Sequence, residues 1–133
     1  LSRSKFKNYN NIVFLDHDVT QKVKSDLKYG FVLSIGVIEH FQDEILQKVI
    51  HNHCSFVERG GYLILSYPTP TIIYKSMRKI LEISNNWLFF DEVPLLYNDI
   101  SQFIPNNFTI IKRQTLWFNL LTQELLILKK NVS

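Results

Sequence analysis

The stretch Phe31-Val32-Leu33-Ser34-Ile35-Gly36-Val37-Ile38-Glu39-His40-Phe41 constrains the fold more than any other. Its first half is a nearly continuous apolar run with β-branched and aromatic members, which reads as a strand buried on both faces, the kind found inside parallel sheets. Gly36 then frees the backbone to turn or to approach another group closely. Glu39 and His40 place two titratable groups where the strand ends. In an open α/β sheet, ligands sit in the crevice beyond the carboxyl ends of the strands, so this stretch is the candidate floor of a binding site.

Around it, strand-like and helix-like segments alternate. Residues 1–11 are polar and read as a frayed lead-in or the end of a helix that belongs to a missing part, and a chain that begins with Leu1 suggests that something upstream is absent. Ile12-Val13-Phe14-Leu15 reads as a short strand closed by Asp16-His17-Asp18. Thr20 opens a short polar turn or helix running to Leu27, and Gly30 supplies the break before the next strand. Gln42 and Asp43 start a helix with Ile45, Leu46, Val49, Ile50, His53, Cys54 and Val57 at helical spacing, ended by Gly60-Gly61. Tyr62 to Tyr67 is the next strand, stopped by Pro68-Thr69-Pro70. Thr71 leads a helix expected to turn Ile72, Ile73, Met77, Ile80 and Leu81 inward and Lys75, Arg78, Lys79 and Glu82 outward. Periodicity fails from Asn85 to Leu96, yet Trp87-Leu88-Phe89-Phe90 is too aromatic for a free loop, and the segment reads as packed over the site or used as a lid. A short helix around Asp99 to Ile104 precedes two strands, Phe108 to Phe118 and Gln123 to Leu128, joined by a short turn and therefore antiparallel.

Alternation of strand and helix predicts one α/β domain, mostly parallel, with a C-terminal antiparallel hairpin. Its 133 residues, 46% apolar and 14% aromatic, suffice for a packed core. The formal charge of +3 comes from scattered basic residues, not the one-faced cluster a nucleic-acid partner needs. No apolar run approaches the roughly 20 residues that span a bilayer, so no membrane partner is expected. The single Cys54 cannot form an internal disulfide, and no Cys/His spacing matches a zinc site. A reduced, cytoplasmic setting without a metal fits.

Three segments carry a family resemblance. The run from Phe31 to Phe41 resembles the fourth-strand motif of class I S-adenosylmethionine-dependent methyltransferases, an aliphatic strand leading into a Glu-His pair and an apolar residue. Arg59-Gly60-Gly61-Tyr62-Leu63-Ile64-Leu65-Ser66 is similar to their next strand, and Phe14-Leu15-Asp16-His17-Asp18-Val19 to the end of their third. The last two strands resemble their sixth and seventh. The resemblance covers Ile12 to Lys129 and implies a Rossmann-like methyltransferase sheet lacking the first strands, a single incomplete domain over residues 1–133. It implies S-adenosylmethionine as cofactor, with Asp18 and Val19 at the adenine and Ser34, Ile35 and Gly36 along the methionine part. For a small-molecule acceptor, side-chain chemistry makes His40 the candidate general base, because an unperturbed imidazole titrates around pH 6.5, with Glu39 beside it and Tyr67 and the segment from Trp87 to Phe90 as candidates for shaping an apolar acceptor pocket.

Simpler roles stand beside these. Asp18 either caps the next turn or touches a ligand. Glu39 either holds the cofactor indirectly, orients His40 or caps the following helix, and Trp87 is either a packing anchor or a substrate platform. The family's Gly-rich loop has no counterpart here, since the four glycines are Gly30, Gly36, Gly60 and Gly61. That loop brings the backbone close to the cofactor, so two functions follow: a methyltransferase fragment or subunit needing an N-terminal cofactor-binding half, or a non-catalytic methyltransferase-like scaffold. Either leaves a sheet edge for a partner chain or a second copy to cover.

Overall fold

Cross-strand pairing orders the molecule. The computed structural model describes residues 16–22, 26–88, 90–117 and 122–132. The expected strand Ile12–Leu15 lies outside these residues, as do Phe89, Phe118 and most of the turn before Thr122. Four strands form one sheet: β1 (Tyr29–Ile35), β2 (Val57–Pro68), β3 (Phe108–Leu116) and β4 (Gln123–Lys130), in the order β1-β2-β4-β3. β1 and β2 are parallel, with Leu33 opposite Ile64, while β4 runs antiparallel to both β2 and β3. Three helices follow the strands: α1 (Asp43–Phe56), α2 (Ile72–Ile83) and α3 (Tyr97–Ser101).

One face of the sheet makes the core. Leu63 and Leu65 of β2 pair with Leu128 and Leu126 of β4 and pack with Leu46, Val49, Ile50 and Cys54 of α1. Burying each such aliphatic side chain is worth about 1.5–3 kcal/mol. Cys54 is filler here, its thiol pushed up to about 12 by burial.

The opposite face is open, which corrects the expectation of a strand buried on both sides. β1 is paired only to β2 among the described residues, and Phe31, Leu33 and Ile35 are 66%, 59% and 62% exposed. Phe31 stacks on Tyr62 with 5.4 Å between ring centroids. Apolar sequence alone does not say whether the second face of such a strand has a partner.

Gly60 and Gly61 do not end α1. The helix stops at Phe56, Val57 enters β2 directly, and both glycines lie inside that strand. There β1 advances from Tyr29 to Phe31 while β2 advances from Val57 to Tyr62, a bulge that Gly60 permits at φ +78. Gly61 lets the backbones meet, because a Cβ on it would lie 2.9 Å from the Gly30 carbonyl oxygen.

α2 departs in part from its expected orientation: Lys75, Lys79 and Glu82 are exposed as expected and Met77 and Leu81 are half-buried, whereas Arg78 turns inward. Thr71 caps it by accepting from the Tyr74 amide, but Tyr74 is its buried residue while Ile72, Ile73, Ile80 and Ile83 are exposed. Between Asp16 and Gln21 the chain forms a turn held by Asp18, whose carboxylate accepts from the Thr20 amide and hydroxyl. Among the described residues, no helix is long and apolar enough to cross a membrane.

Candidate functional site

The turn after β1 gathers the candidate residues. Ser34, the penultimate residue of β1, has a buried hydroxyl with no hydrogen-bond partner. Gly36 follows at φ +66, a left-handed conformation that only glycine adopts freely. Its amide donates to the Ser66 carbonyl, which holds the turn against β2. A 3-10 turn, Ile38–His40, then presents Glu39 and His40 at the carboxyl end of the parallel pair.

Glu39 is buried, with Oε2 unpartnered and Oε1 3.6 Å from where a Cβ on Gly36 would stand. Burial pushes its carboxyl above the usual range; the Glu39 amide and His40 pull the other way, and Glu92 adds a smaller upward push. The carboxylate neither caps α1, whose N-terminus has no side-chain cap, nor orients the imidazole. Orientation comes from Asp91, whose Oδ2 lies 3.0 Å from His40 Nδ1. With Nδ1 engaged, Nε2 is the ring nitrogen left to exchange a proton.

The aperiodic segment after α2 closes on this turn. The Val93 amide donates to the Glu39 carbonyl, and the Leu95 amide donates to the Pro68 carbonyl at the end of β2. Tyr74 of α2 donates to Glu92 Oε1 at 2.6 Å, and Arg78 donates to the Glu92 carbonyl at 2.9 Å. Trp87 is buried, edge-on to Tyr74 at 6.3 Å and under the Arg78 guanidinium at 5.1 Å. The segment thus meets the site through the Val93 and Leu95 amides, Trp87 packs against α2, and Leu88 and Phe90 are exposed.

The remaining candidates are dispersed. Asp18 is exposed, its carboxyl held below the usual range chiefly by the Thr20 amide, and its turn is tied to α1 by Asn52, which donates to the Val19 carbonyl. Ile35 is on the open face of β1. Tyr67 is fully buried, and burial with Glu124 nearby pushes its phenol upward. A cleft of about 200 Å³ adjoins the site, lined by Gln42, Asp43, Val93, Asp99 and Phe103 among others, and none of the candidates named from the sequence lines it. Asp91 and Glu92 leave only the trace of an acidic pair inside an aromatic, aperiodic stretch, and Arg78, read from the helical period as outward, instead turns toward Glu92.

No family model matches the sequence, and no curated protein matches it. Solved structures do. A magnesium protoporphyrin IX methyltransferase from Synechocystis PCC 6803, with S-adenosylhomocysteine bound, is 20% identical with a TM-score of 0.71 over 98% of this chain and 57% of its own. The N-methyltransferase NodS from Bradyrhizobium japonicum WM9 is 12% identical with a TM-score of 0.71 over 97% of this chain and 59% of its own. An O-methyltransferase family protein from Burkholderia thailandensis is 11% identical with a TM-score of 0.73 over 98% of this chain and 40% of its own. The chain thus spans well under two thirds of each of these structures, and over that span it has the class I methyltransferase fold.

Proposed function

We propose that this chain forms the acceptor-facing part of an S-adenosylmethionine-dependent methyltransferase for a small molecule, active when the part of the fold it does not span is present. One observation carries the reading: the Gly36 turn, with φ +66, sets the unpartnered buried groups of Ser34 and Glu39 at the carboxyl end of the parallel pair. That is where this class of sheet binds ligands, and orphaned polar atoms beside a glycine turn fit a polar cofactor tail. Structures of the same fold that hold S-adenosylhomocysteine support it.

The cofactor, once bound, would supply an electrophilic methyl group on a sulfonium, which an acceptor nucleophile would displace with the S–C bonding pair remaining on sulfur. The chain's own residues position the reactants and take the proton. Ser34, Ile35 and Gly36 flank the methionine end, and Asp18 and Val19 the adenine. His40, held through Nδ1 by Asp91, receives the acceptor hydroxyl's proton at Nε2. Glu39 neutralises positive charge on the cofactor side. Tyr67 and Trp87, both buried, form the floor behind the acceptor instead of its solvent-facing wall. Alignment of the reactants provides most of the acceleration, up to about 7–11 kcal/mol. The setting is cytoplasmic, where a lone cysteine stays reduced.

The open face of β1 favours a second reading, a methyltransferase-like scaffold whose sheet binds another chain. Calorimetric titration of S-adenosylmethionine into this chain, and into the chain extended by an N-terminal cofactor-binding half, separates the two. Binding restored by the extension supports the enzyme; no binding in either supports the scaffold.

A further inference from the structure

α2 is built like a helix that lies on a surface. At 3.6 residues per turn, Ile72, Ile83, Ile80 and Ile73 fall within about 100° of arc, which also holds the small Ser76. All four are exposed, Ile72 by 84% and Ile83 by 75%, while Tyr74 and Arg78 on the opposite side tie the helix to Glu92. Lys79 and Lys75 run along one border of the stripe, and neither makes an ion pair among the described residues. The 12 residues of α2 make a rod of about 18 Å, too short for a hydrocarbon core of about 30 Å.

We propose that α2 is an interfacial helix that docks the protein on an anionic phospholipid bilayer, isoleucines in the acyl boundary and Lys75 and Lys79 at the headgroups. A narrow apolar stripe with cations along one border is what such a surface selects, since the lysine stems lie along apolar surface while their ammonium groups meet lipid phosphates; Glu82, beyond Lys75 on that border, is neutralised by its ion pair with Arg78. A second copy of the chain fits less well, because a basic partner of pI about 9.0 brings like charges to the same border. The expectation of no membrane partner rests on spanning length, a criterion that an in-plane helix does not have to meet. Docking here is independent of methyl transfer.

The test is co-sedimentation of the whole chain with vesicles of equal parts phosphatidylcholine and phosphatidylglycerol, and with phosphatidylcholine alone. The wild type is expected to bind the anionic vesicles, less so at high salt. The pairs Ile80→Ser with Ile83→Ser, and Lys75→Glu with Lys79→Glu, should each lower binding at least about tenfold without changing the circular dichroism spectrum. The pair Phe31→Ser with Leu33→Ser should leave binding unchanged. The proposal is overturned if the wild type stays in solution, if the α2 variants bind as it does, or if the β1 variants lose binding instead. Light scattering that shows a dimer abolished by the isoleucine pair, with no vesicle binding, assigns the stripe to a second copy and also overturns it.

Discussion

His40 Nδ1 lies 3.0 Å from Asp91 Oδ2, a contact between residues 51 positions apart that joins the turn after β1 to the segment after α2. The pair is a surface one, Asp91 being largely exposed, and such pairs contribute under about 1 kcal/mol to stability. Its effect lies in presenting Nε2.

In the extended enzyme, His40→Ala is expected to lower kcat by about 10²–10⁴-fold, the usual range for a lost general base. Asp91→Asn should lower kcat by about tenfold, with KM for the cofactor unchanged and the melting temperature within a degree or so. Steady-state kinetics with both variants checks this. Equal activity of Asp91→Asn and wild type removes Asp91 from the mechanism.

Under the proposed function, Glu39 would link cofactor binding to stability. Because burial raises its carboxyl above the unfolded value, the folded state binds that proton more tightly than the unfolded chain does. Its favourable contribution is therefore complete below the unfolded pKa of 4.5 and is lost as pH rises through the folded value. Glu39→Gln, which cannot ionise, is expected to be more stable than wild type at neutral pH by roughly 1 kcal/mol, and to lose that advantage in acid. Thermal melts across pH read the crossing directly. In the extended enzyme the same change should weaken cofactor binding, the usual exchange of stability for function.

How far the sequence speaks depends on whether a signal is local. β1, α1, β2 and the β3–β4 hairpin are legible because their periods of two and 3.6 residues are set within each segment. Gly60-Gly61 is misread because a glycine pair after an amphipathic helix looks alike whether it caps the helix or bulges a strand, and the difference lies in the approach of Gly30. The isoleucines of α2 were expected inward since hydrophobicity records apolar character but not which side has a partner. The place of Glu39 and His40 after a strand is a local feature that could be read, whereas the pairing of His40 with Asp91 could not, because it is a contact between residues 51 positions apart.

The two glycine environments can be told apart. Gly36→Ala meets only Glu39 Oε1 at 3.6 Å, so its penalty is the left-handed φ alone, about 1–2 kcal/mol. Gly61 has no positive φ, yet a Cβ there meets the Gly30 and Glu58 carbonyl oxygens at 2.9 and 3.1 Å. Backbone cannot move aside cheaply, so Gly61→Ala should destabilise more, by about 3 kcal/mol. Urea unfolding of the two variants gives the order; the reverse order would mean that the β1–β2 bulge yields more readily than its contacts suggest.

Glu124 on β4 is buried and receives two hydrogen bonds from Arg113 of β3, whose guanidinium also lies 4.3 Å over the Tyr97 ring. Arg113→Met leaves that carboxylate without its cation. The expected loss is about 2–3 kcal/mol, below that for a fully buried pair because Arg113 is half exposed. The double variant Arg113→Met with Glu124→Leu should recover most of it, since no buried charge is left. Denaturant midpoints of the single and double variants test the pair.

Leu33 separates what holds this chain together from what it is completed by. It pairs across to Ile64 but is 59% exposed on the open face, so Leu33→Lys removes little from the existing core and should shift stability by no more than about 0.5 kcal/mol. If the face of β1 is where the rest of the fold packs, the same lysine would be buried without a partner on completion, a loss of several kcal/mol. Association with a separately supplied N-terminal half, followed by calorimetry, should then fall below detection for Leu33→Lys, while Lys112→Leu, on the distant strand β3, leaves it unchanged. Undiminished association of Leu33→Lys would place the completing contact elsewhere than on β1.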